Sequence, residues 1–310
     1  MSIKENPQGA LPSSLVDKLH ALNRLNSPLH SRQDLLNRKS CALNSGRCPE
    51  CRGHGIVFSP KGFYAQAMLC SCVLKCAQCI GKAVDVSSGS AVACKNPSPI
   101  IMANLFNQAQ IPVRYAHAKV GKFANKTGNY AEICKKIIDW LALIKSTGVQ
   151  NKGVILSGDV GVGKTYLLTS IAKEMVFKGF SVKFVDFFQL ITEIKARYSQ
   201  KKDVADSILG PLLTVDVLII DELGKGRRTE FEQTIVDQLV MGRYNQNKLM
   251  LASTNCKLEL AASKPLTQQK EFNKSGYLIE EVGERIFSRL KETCHFWTMT
   301  GEDYRYRQGS

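Results

Sequence analysis

The chain has 310 residues, 44% of them hydrophobic and 22% charged, which is room for one domain with a sizeable core beside a smaller one. That composition is ordinary for a water-soluble protein, and no stretch approaches the roughly 18 consecutive apolar residues expected of a membrane-spanning helix. The formal charge of +15 is concentrated in residues 1–150, with 19 Lys and Arg against 7 Asp and Glu, and such a basic surface favours an anionic partner, most often nucleic acid.

The first residues, with Lys4, Glu5, Pro7 and Pro12, lack an apolar run of signal-peptide length, so the expected location is the cytoplasm, with no membrane partner. Residues 1–46 read as a polar tail and a helical arm. Ser13 or Ser14 caps a helix that carries Leu15, Val16, Leu19, Leu22 and Leu25 on one face, and Leu29, Leu35 and Leu36 continue a second short one.

Residues 47–96 form a cysteine-rich module. The chain has 11 cysteines, and in a reducing compartment these point to metal ligation rather than to disulfides. Cys48-Pro49-Glu50-Cys51 is a Cys-x-x-Cys knuckle, followed by a turn at Gly53 and Gly55 that lets backbone N–H groups approach the sulfurs. Cys70 and Cys72 complete a tetrahedral four-thiolate zinc site. Cys76 and Cys79 look like a partial repeat, with Cys94 in the place of Cys70. That second set lacks a fourth ligand: His54 supplies it, the two knuckles share one Zn²⁺, or the second site is degenerate. No ligand position is left open for water, so the metal is expected to be structural. Cys134, Cys256 and Cys294 stand singly in apolar contexts and read as core.

Residues 97–129, with Pro97, Pro99, Pro112 and Gly128, are expected to be a loop-rich connector. From Tyr130 the pattern changes. Ile133, Ile137, Ile138, Leu141 and Ile144 have helical spacing, with Trp140 and Leu143 beside them. Short apolar runs then alternate with helical stretches: Val154 to Ser157, Val182 to Phe187, Val217 to Ile220, Leu249 to Ser253 and Phe296 to Met299. Strands alternating with helices predict a parallel sheet of five strands wrapped by helices over residues 130–310.

Gly158-Asp159-Val160-Gly161-Val162-Gly163-Lys164-Thr165 follows the first of these strands and matches the P-loop pattern. Its glycines turn backbone N–H groups toward phosphate oxygens, Lys164 adds a charge for the β- and γ-phosphates, and the Thr165 hydroxyl suits Mg²⁺. Val217 to Ile220 ends in Asp221-Glu222. A carboxylate at that strand end can hold Mg²⁺ and the next can act as the base that orients the attacking water, so Asp221 is the expected metal residue and Glu222 the expected base. Asn255, at the end of the next strand, is the candidate contact for the γ-phosphate or the water. Arg285 and Arg289 lie four apart on one helical face and are either surface ion-pair partners or an arginine finger for a neighbouring subunit. Lys195, Arg197, Tyr198, Lys201, Lys202, Lys225, Arg227 and Arg228 interleave positive charge with an aromatic ring, a pattern that suits single-stranded DNA as well as a solvated surface.

Together, Ile111-Pro112-Val113-Arg114-Tyr115, the P-loop, Ile220-Asp221-Glu222-Leu223-Gly224, Ser253-Thr254-Asn255, Gly283-Glu284-Arg285 with Arg289, and Gly301-Glu302-Asp303-Tyr304-Arg305 resemble the IstB/DnaC family of AAA+ ATPases. The resemblance implies an ATPase with ATP and Mg²⁺ as ligands, Asn255 as the sensor-1 residue, Arg289 as an arginine finger acting through self-association, Arg305 as the sensor-2 arginine and Arg285 as a weaker nucleotide-facing candidate. It also implies a core without the helical lid of most AAA+ proteins, for which the few residues after the fifth strand leave no room. Members include helicase loaders, which contact a replicative DNA helicase and single-stranded DNA, and transposition helpers. The expected function is that of a loader; the alternatives are a transposition helper and a nucleotide-regulated zinc adaptor with little turnover.

Overall fold

The computed structural model describes residues 48–52, 54–74, 84–85, 92–93, 98–121, 128–144, 152–199, 205–226, 229–258 and 276–305. The predicted helical arm lies outside these residues, as do Cys76, Cys79, Cys94, Lys201, Lys202, Arg227 and Arg228. The chain divides into two units, one of Met1–Ser59 with Gln66–Asn107, the other of Pro60–Ala65 with Gln108–Ser310.

Strands β1 (Ile56–Lys61) and β2 (Tyr64–Leu69) form a two-stranded sheet. A short helix α1 (Ser71–Leu74) follows, then a small antiparallel pair, β3 (Val84–Asp85) with β4 (Val92–Ala93). The expected loop-rich connector is corrected here, because Ser98–Ala109 forms a 12-residue helix, α2. Pro99 sits in its first turn, where the missing N–H has no intrahelical partner to lose, so this proline starts a helix rather than breaking one. Among the described residues of the first unit, Ile101, Leu105 and Phe106 of this helix are buried with Ile56 and Val73, and the Phe106 ring lies 4.6 Å from that of Phe58. Its last turn is tied to β2 by Asn107, whose Oδ1 accepts from Ala67 N at 2.6 Å and whose Nδ2 donates to Ala67 O at 3.1 Å.

The second unit is built on β5 (Gly153–Gly158), β6 (Val182–Asp186), β7 (Val217–Asp221), β8 (Leu249–Thr254) and β9 (Cys294–Met299). All neighbours are parallel, in the order β6-β7-β8-β5-β9. The three inner strands are apolar almost throughout because helices cover both of their faces, whereas β6 and β9, at the edges, are only partly buried. Helix α3 (Tyr130–Leu143) precedes the sheet, α4 (Lys164–Phe177) follows β5 and α5 (Phe187–Ser199) follows β6. A π-turn (Ala205–Leu209) and α6 (Gly210–Thr214) lead into β7. Helix α7 (Glu230–Asn245) links β7 to β8, and α8 (Leu278–Val282) and α9 (Glu284–Thr293) precede β9.

In α3 the buried stripe is Tyr130, Ile133, Cys134, Ile137, Trp140 and Leu141, while Ile138 and Leu143, also read as apolar helix positions, face solvent. Trp140 turns inward because its indole N–H reaches Lys152 O at 2.8 Å. Cys134, Cys256 and Cys294 are buried, as expected. Arg243 of α7 is 1% exposed and had no sequence signal. Its guanidinium donates to Leu212 O (2.7 Å), Val215 O and Asp216 O (both 3.1 Å) and Leu249 O, so it joins the end of α6 to the entrances of β7 and β8. Burial brings its pKa down to about 9.

Candidate nucleotide and metal sites

The sheet order explains how distant motifs meet. β8 lies between the P-loop strand β5 and the acidic strand β7, so the carboxyl ends of three inner strands deliver Gly158, Ser253 and Asp221 side by side. This is the edge at which open α/β sheets bind ligands.

Gly158 and Gly161 have φ of +146° and +83°. A Cβ on Gly158 would lie 2.3 Å from Met299 O, and one on Gly161 would lie 1.9 Å from the Asp303 carboxylate, so both conformation and space require glycine. Lys164 opens α4, and its Nζ donates to Gly158 O and Asp159 O, both at 2.7 Å. Burial lowers this amine to about 8, and the nearby Asp221 charge opposes that shift.

Thr165 Oγ1 donates to both Asp221 oxygens, at 3.1 and 2.9 Å, and Ser253 Oγ donates to Asp221 Oδ1. Burial raises the Asp221 carboxyl above the usual range, while the Ser253 and Thr165 hydroxyls pull it back. A hydroxyl and a carboxylate at this separation are hard oxygen donors of the kind Mg²⁺ takes. Glu222 holds a left-handed conformation, φ +59°, fixed by Ser253, whose Oγ accepts from Glu222 N at 2.9 Å and whose carbonyl accepts from Leu223 N at 2.7 Å. The Glu222 side chain forms an exposed ion pair with Lys225, a type of pair that contributes little and does not lock either partner.

These groups surround a cleft of about 340 Å³. Val160, Gly161, Gly163, Lys164 and Thr165 line it, with Glu222, Ser253, Asn255 and Arg305. Val162 of the same loop is buried behind it. Sequence reasoning gave no role to four further lining residues: Arg114, Tyr115, Tyr166 and Tyr304. Arg114 and Tyr115 stood in the family motif ahead of the core and Tyr304 in the closing one; Tyr166 carried no periodic or motif signal. Tyr304 N donates to Gly161 O at 3.2 Å, and Asp303 Oδ1 accepts from Arg305 N at 2.8 Å, so the segment after β9 is seated on the P-loop.

Arg289 does not line the cleft. Its Nη1 donates to Arg285 O at 3.0 Å, and its guanidinium lies 5.6 Å from the Tyr244 ring centroid, on the outer side of α9 against α7. Arg285 pairs loosely with Asp237 at 3.9 Å. Of the basic residues on α5, Lys195 pairs with Glu232 (3.1 Å), Arg197 with Glu193 (3.0 Å), and the Tyr198 ring meets Phe231 edge-on.

In the first unit Cys48, Cys51, Cys70 and Cys72 place their sulfurs within 4.8 Å of one another. Cys48 to Cys70 and Cys51 to Cys72 are each 3.6 Å. Four sulfurs held tetrahedrally at about 2.3 Å from one zinc stand roughly 3.8 Å apart, so the set fits the ion. Among the described residues His54 is not part of this group. Backbone N–H groups of Cys51 and then Glu50 bring Cys48 down to about 7, while burial raises Cys70, against a backbone N–H from Cys72, and also raises Cys72. Gly55 instead is a packing position, φ +72°, where a Cβ would lie 2.8 Å from Pro99 Cγ and 2.9 Å from Val73 Cγ2.

The family model for IstB-like ATP binding proteins matches residues 102–310. The chain belongs to this family. Replicative helicase loader DnaC of Escherichia coli K12 is 27% identical over 154 residues, 49% of this chain and 56% of that protein. An ATP-binding protein of insertion sequence IS5376 from Geobacillus stearothermophilus is 22% identical over 161 residues, 51% of this chain and 57% of its own. The chain thus spans about half the length of the curated relatives it matches. A crystal structure of the DnaC helicase loader superposes with a TM-score of 0.50 at 23% identity, covering 61% of this chain and 99% of that one, which is a likeness of fold. Among the described residues no helix is long and apolar enough to cross a membrane.

Proposed function

We propose that this protein binds and hydrolyses ATP and loads a replicative DNA helicase, contacting single-stranded DNA as it does so. The observation that carries the reading is the convergence of Lys164, the Thr165–Asp221 pair, Glu222 and Asn255 on one cleft. The match to proteins named as replicative helicase loaders supports the partner. The insertion-sequence relative favours a second reading, a transposition helper with the same ATPase core.

In this mechanism the P-loop N–H groups and Lys164 bind the β- and γ-phosphates, and Lys164 exchanges its two backbone carbonyls for phosphate oxygens. Thr165 and Asp221 would hold Mg²⁺, which would supply neutralisation of charge on the phosphates. Glu222 accepts a proton from the water whose oxygen bonds to the γ-phosphorus as the bond to the ADP oxygen breaks, and Asn255 orients that water or the γ-phosphate. Arg305 contacts phosphate from the cleft's own chain. Arg289, outside its own cleft, acts on the nucleotide of a neighbouring copy, so hydrolysis requires assembly. The basic residues of α5, with Lys201, Lys202, Lys225, Arg227 and Arg228, follow the DNA backbone, and Lys195 and Arg197 exchange their carboxylate partners for phosphates. Cys48, Cys51, Cys70 and Cys72 hold a structural Zn²⁺, and their unit contacts the helicase.

Subunit mixing tests the shared site. Arg289→Ala and Glu222→Gln chains are each expected to be nearly inactive, and mixed oligomers to regain part of the turnover, because some interfaces then combine an intact Glu222 with a neighbour's intact Arg289. Inactive mixtures, or a fully active Arg289→Ala protein, would remove Arg289 from the reaction.

A further inference from the structure

The turn that brings Arg114 and Tyr115 to the cleft is a short 3₁₀ segment, Val113–Tyr115, preceding α3 and separated from the P-loop in sequence. Two side chains of the P-loop helix α4 hold it. Tyr166 and Lys173 are seven residues apart, two helical turns, and so lie on one face. Lys173 is 5% exposed, and its Nζ donates to Ala116 O and, at 3.0 Å, to Ala118 O. The Tyr166 hydroxyl accepts from Lys119 N at 3.2 Å, and its ring stands edge-on to Tyr115 at 6.4 Å. On the other side of the turn, Val113 N donates to Phe63 O at 3.1 Å and Ala65 N to Ile111 O at 2.8 Å.

We propose that Lys173 is a positioning residue for the nucleoside end of ATP: its ammonium clamps the carbonyls after the Val113–Tyr115 turn and thereby makes Arg114 and Tyr115 one rigid piece with the phosphate-binding helix. The inference rests on the cleft being an ATP site and adds which part of ATP this wall reads. An ammonium is suited to the task because it can serve both carbonyls and still hold a third donor, and charge-assisted bonds in a buried place are strong. An uncharged, unbranched side chain of similar size, methionine, removes both bonds. Lys173 stays protonated at neutral pH, since burial and then Lys119 bring it only to about 8.

The phosphates are held by the P-loop, which Lys173 does not touch, so losing the clamp should weaken only the contacts to base and sugar. Calorimetry with Mg²⁺ compares ATP with inorganic tripolyphosphate, which has the same phosphates and no nucleoside. Lys173→Met is expected to weaken ATP binding about ten-fold or more and to leave tripolyphosphate affinity within about two-fold, with Lys173→Gln, which keeps an N–H donor, in between. Equal losses for both ligands, or none for either, would overturn the clamp. Hydrogen exchange on the unaltered protein decides the matter without any variant: ATP should slow exchange at Lys119 and Ala118 and tripolyphosphate should not, and identical protection by the two would overturn the proposal. If the unaltered protein binds neither ligand, the ATP-site reading itself falls, and the clamp with it.

Discussion

Replacing Cys70 with Ser is expected to remove one zinc ion from each chain and to unfold the unit around the four cysteines. Cys70 is fully buried, its sulfur sits 3.6 Å from that of Cys48, and its backbone N–H donates to Gly55 O at 2.9 Å, so it joins the knuckle to the end of β2. Among the described residues, the remaining apolar core of the unit, chiefly Ile56, Val73, Ile101, Leu105 and Phe106, is small. A structural zinc contributes on the order of 10 to 16 kcal/mol to folding in comparable sites, more than the whole stability of a typical small domain. Emission spectrometry should find zinc in the purified protein and one ion fewer per chain in the Cys70→Ser variant. The circular dichroism of the variant should lose signal, while its P-loop unit still melts cooperatively. A folded, metal-free protein, or an unchanged zinc content in the variant, would contradict the site.

Glu222→Gln should lower ATP turnover by about 10² to 10⁴ while ATP still binds, the usual range for removal of a general base. The substitution keeps the side chain's size, and the backbone hydrogen bond to Ser253 that fixes the residue at φ +59° does not involve the carboxylate. What is lost is the ability to accept a proton and the ion pair with Lys225, and the latter, being exposed, contributes little. Phosphate release and nucleotide affinity, measured on the same preparations, separate the two effects. Turnover that survives the change would assign the water's proton to another group. A protein that binds ATP, never turns it over and still engages its partner would be a nucleotide-regulated adaptor instead.

The phosphate end of the cleft was legible in the sequence because its chemistry constrains local spacing. Gly158 to Thr165 must be contiguous to wrap phosphates, and Asp221-Glu222 must end a buried strand to sit beside them. The five strands were legible because burial on both faces leaves continuous apolar runs. Their order in space was not. That β8 runs between β5 and β7 is a property of crossovers, and it decides that Ser253 bonds Asp221. The wall that carries Arg114 and Tyr115 escaped for a related reason: these residues reach the cleft through a turn held by Lys173 and Tyr166, on a helix that reads only as the continuation of the P-loop. Helix α2 was hidden by Pro97 and Pro99, but Pro99 sits in its first turn, where a proline is tolerated. Lys195 and Arg197 show the opposite limit, since a basic stretch that suggests nucleic acid also finds carboxylates on its own chain.

A helicase loader that works through ATP should associate with a replicative helicase in a nucleotide-dependent way. The direct test is the mass of the complex formed by the zinc-loaded protein and the helicase of its own organism, measured by light scattering after size exclusion with and without ATP and Mg²⁺. A complex that contains both proteins and depends on nucleotide is the predicted result. Two separate peaks under both conditions, from a protein that binds ATP, would contradict the loader reading and leave a transposase as the partner to test.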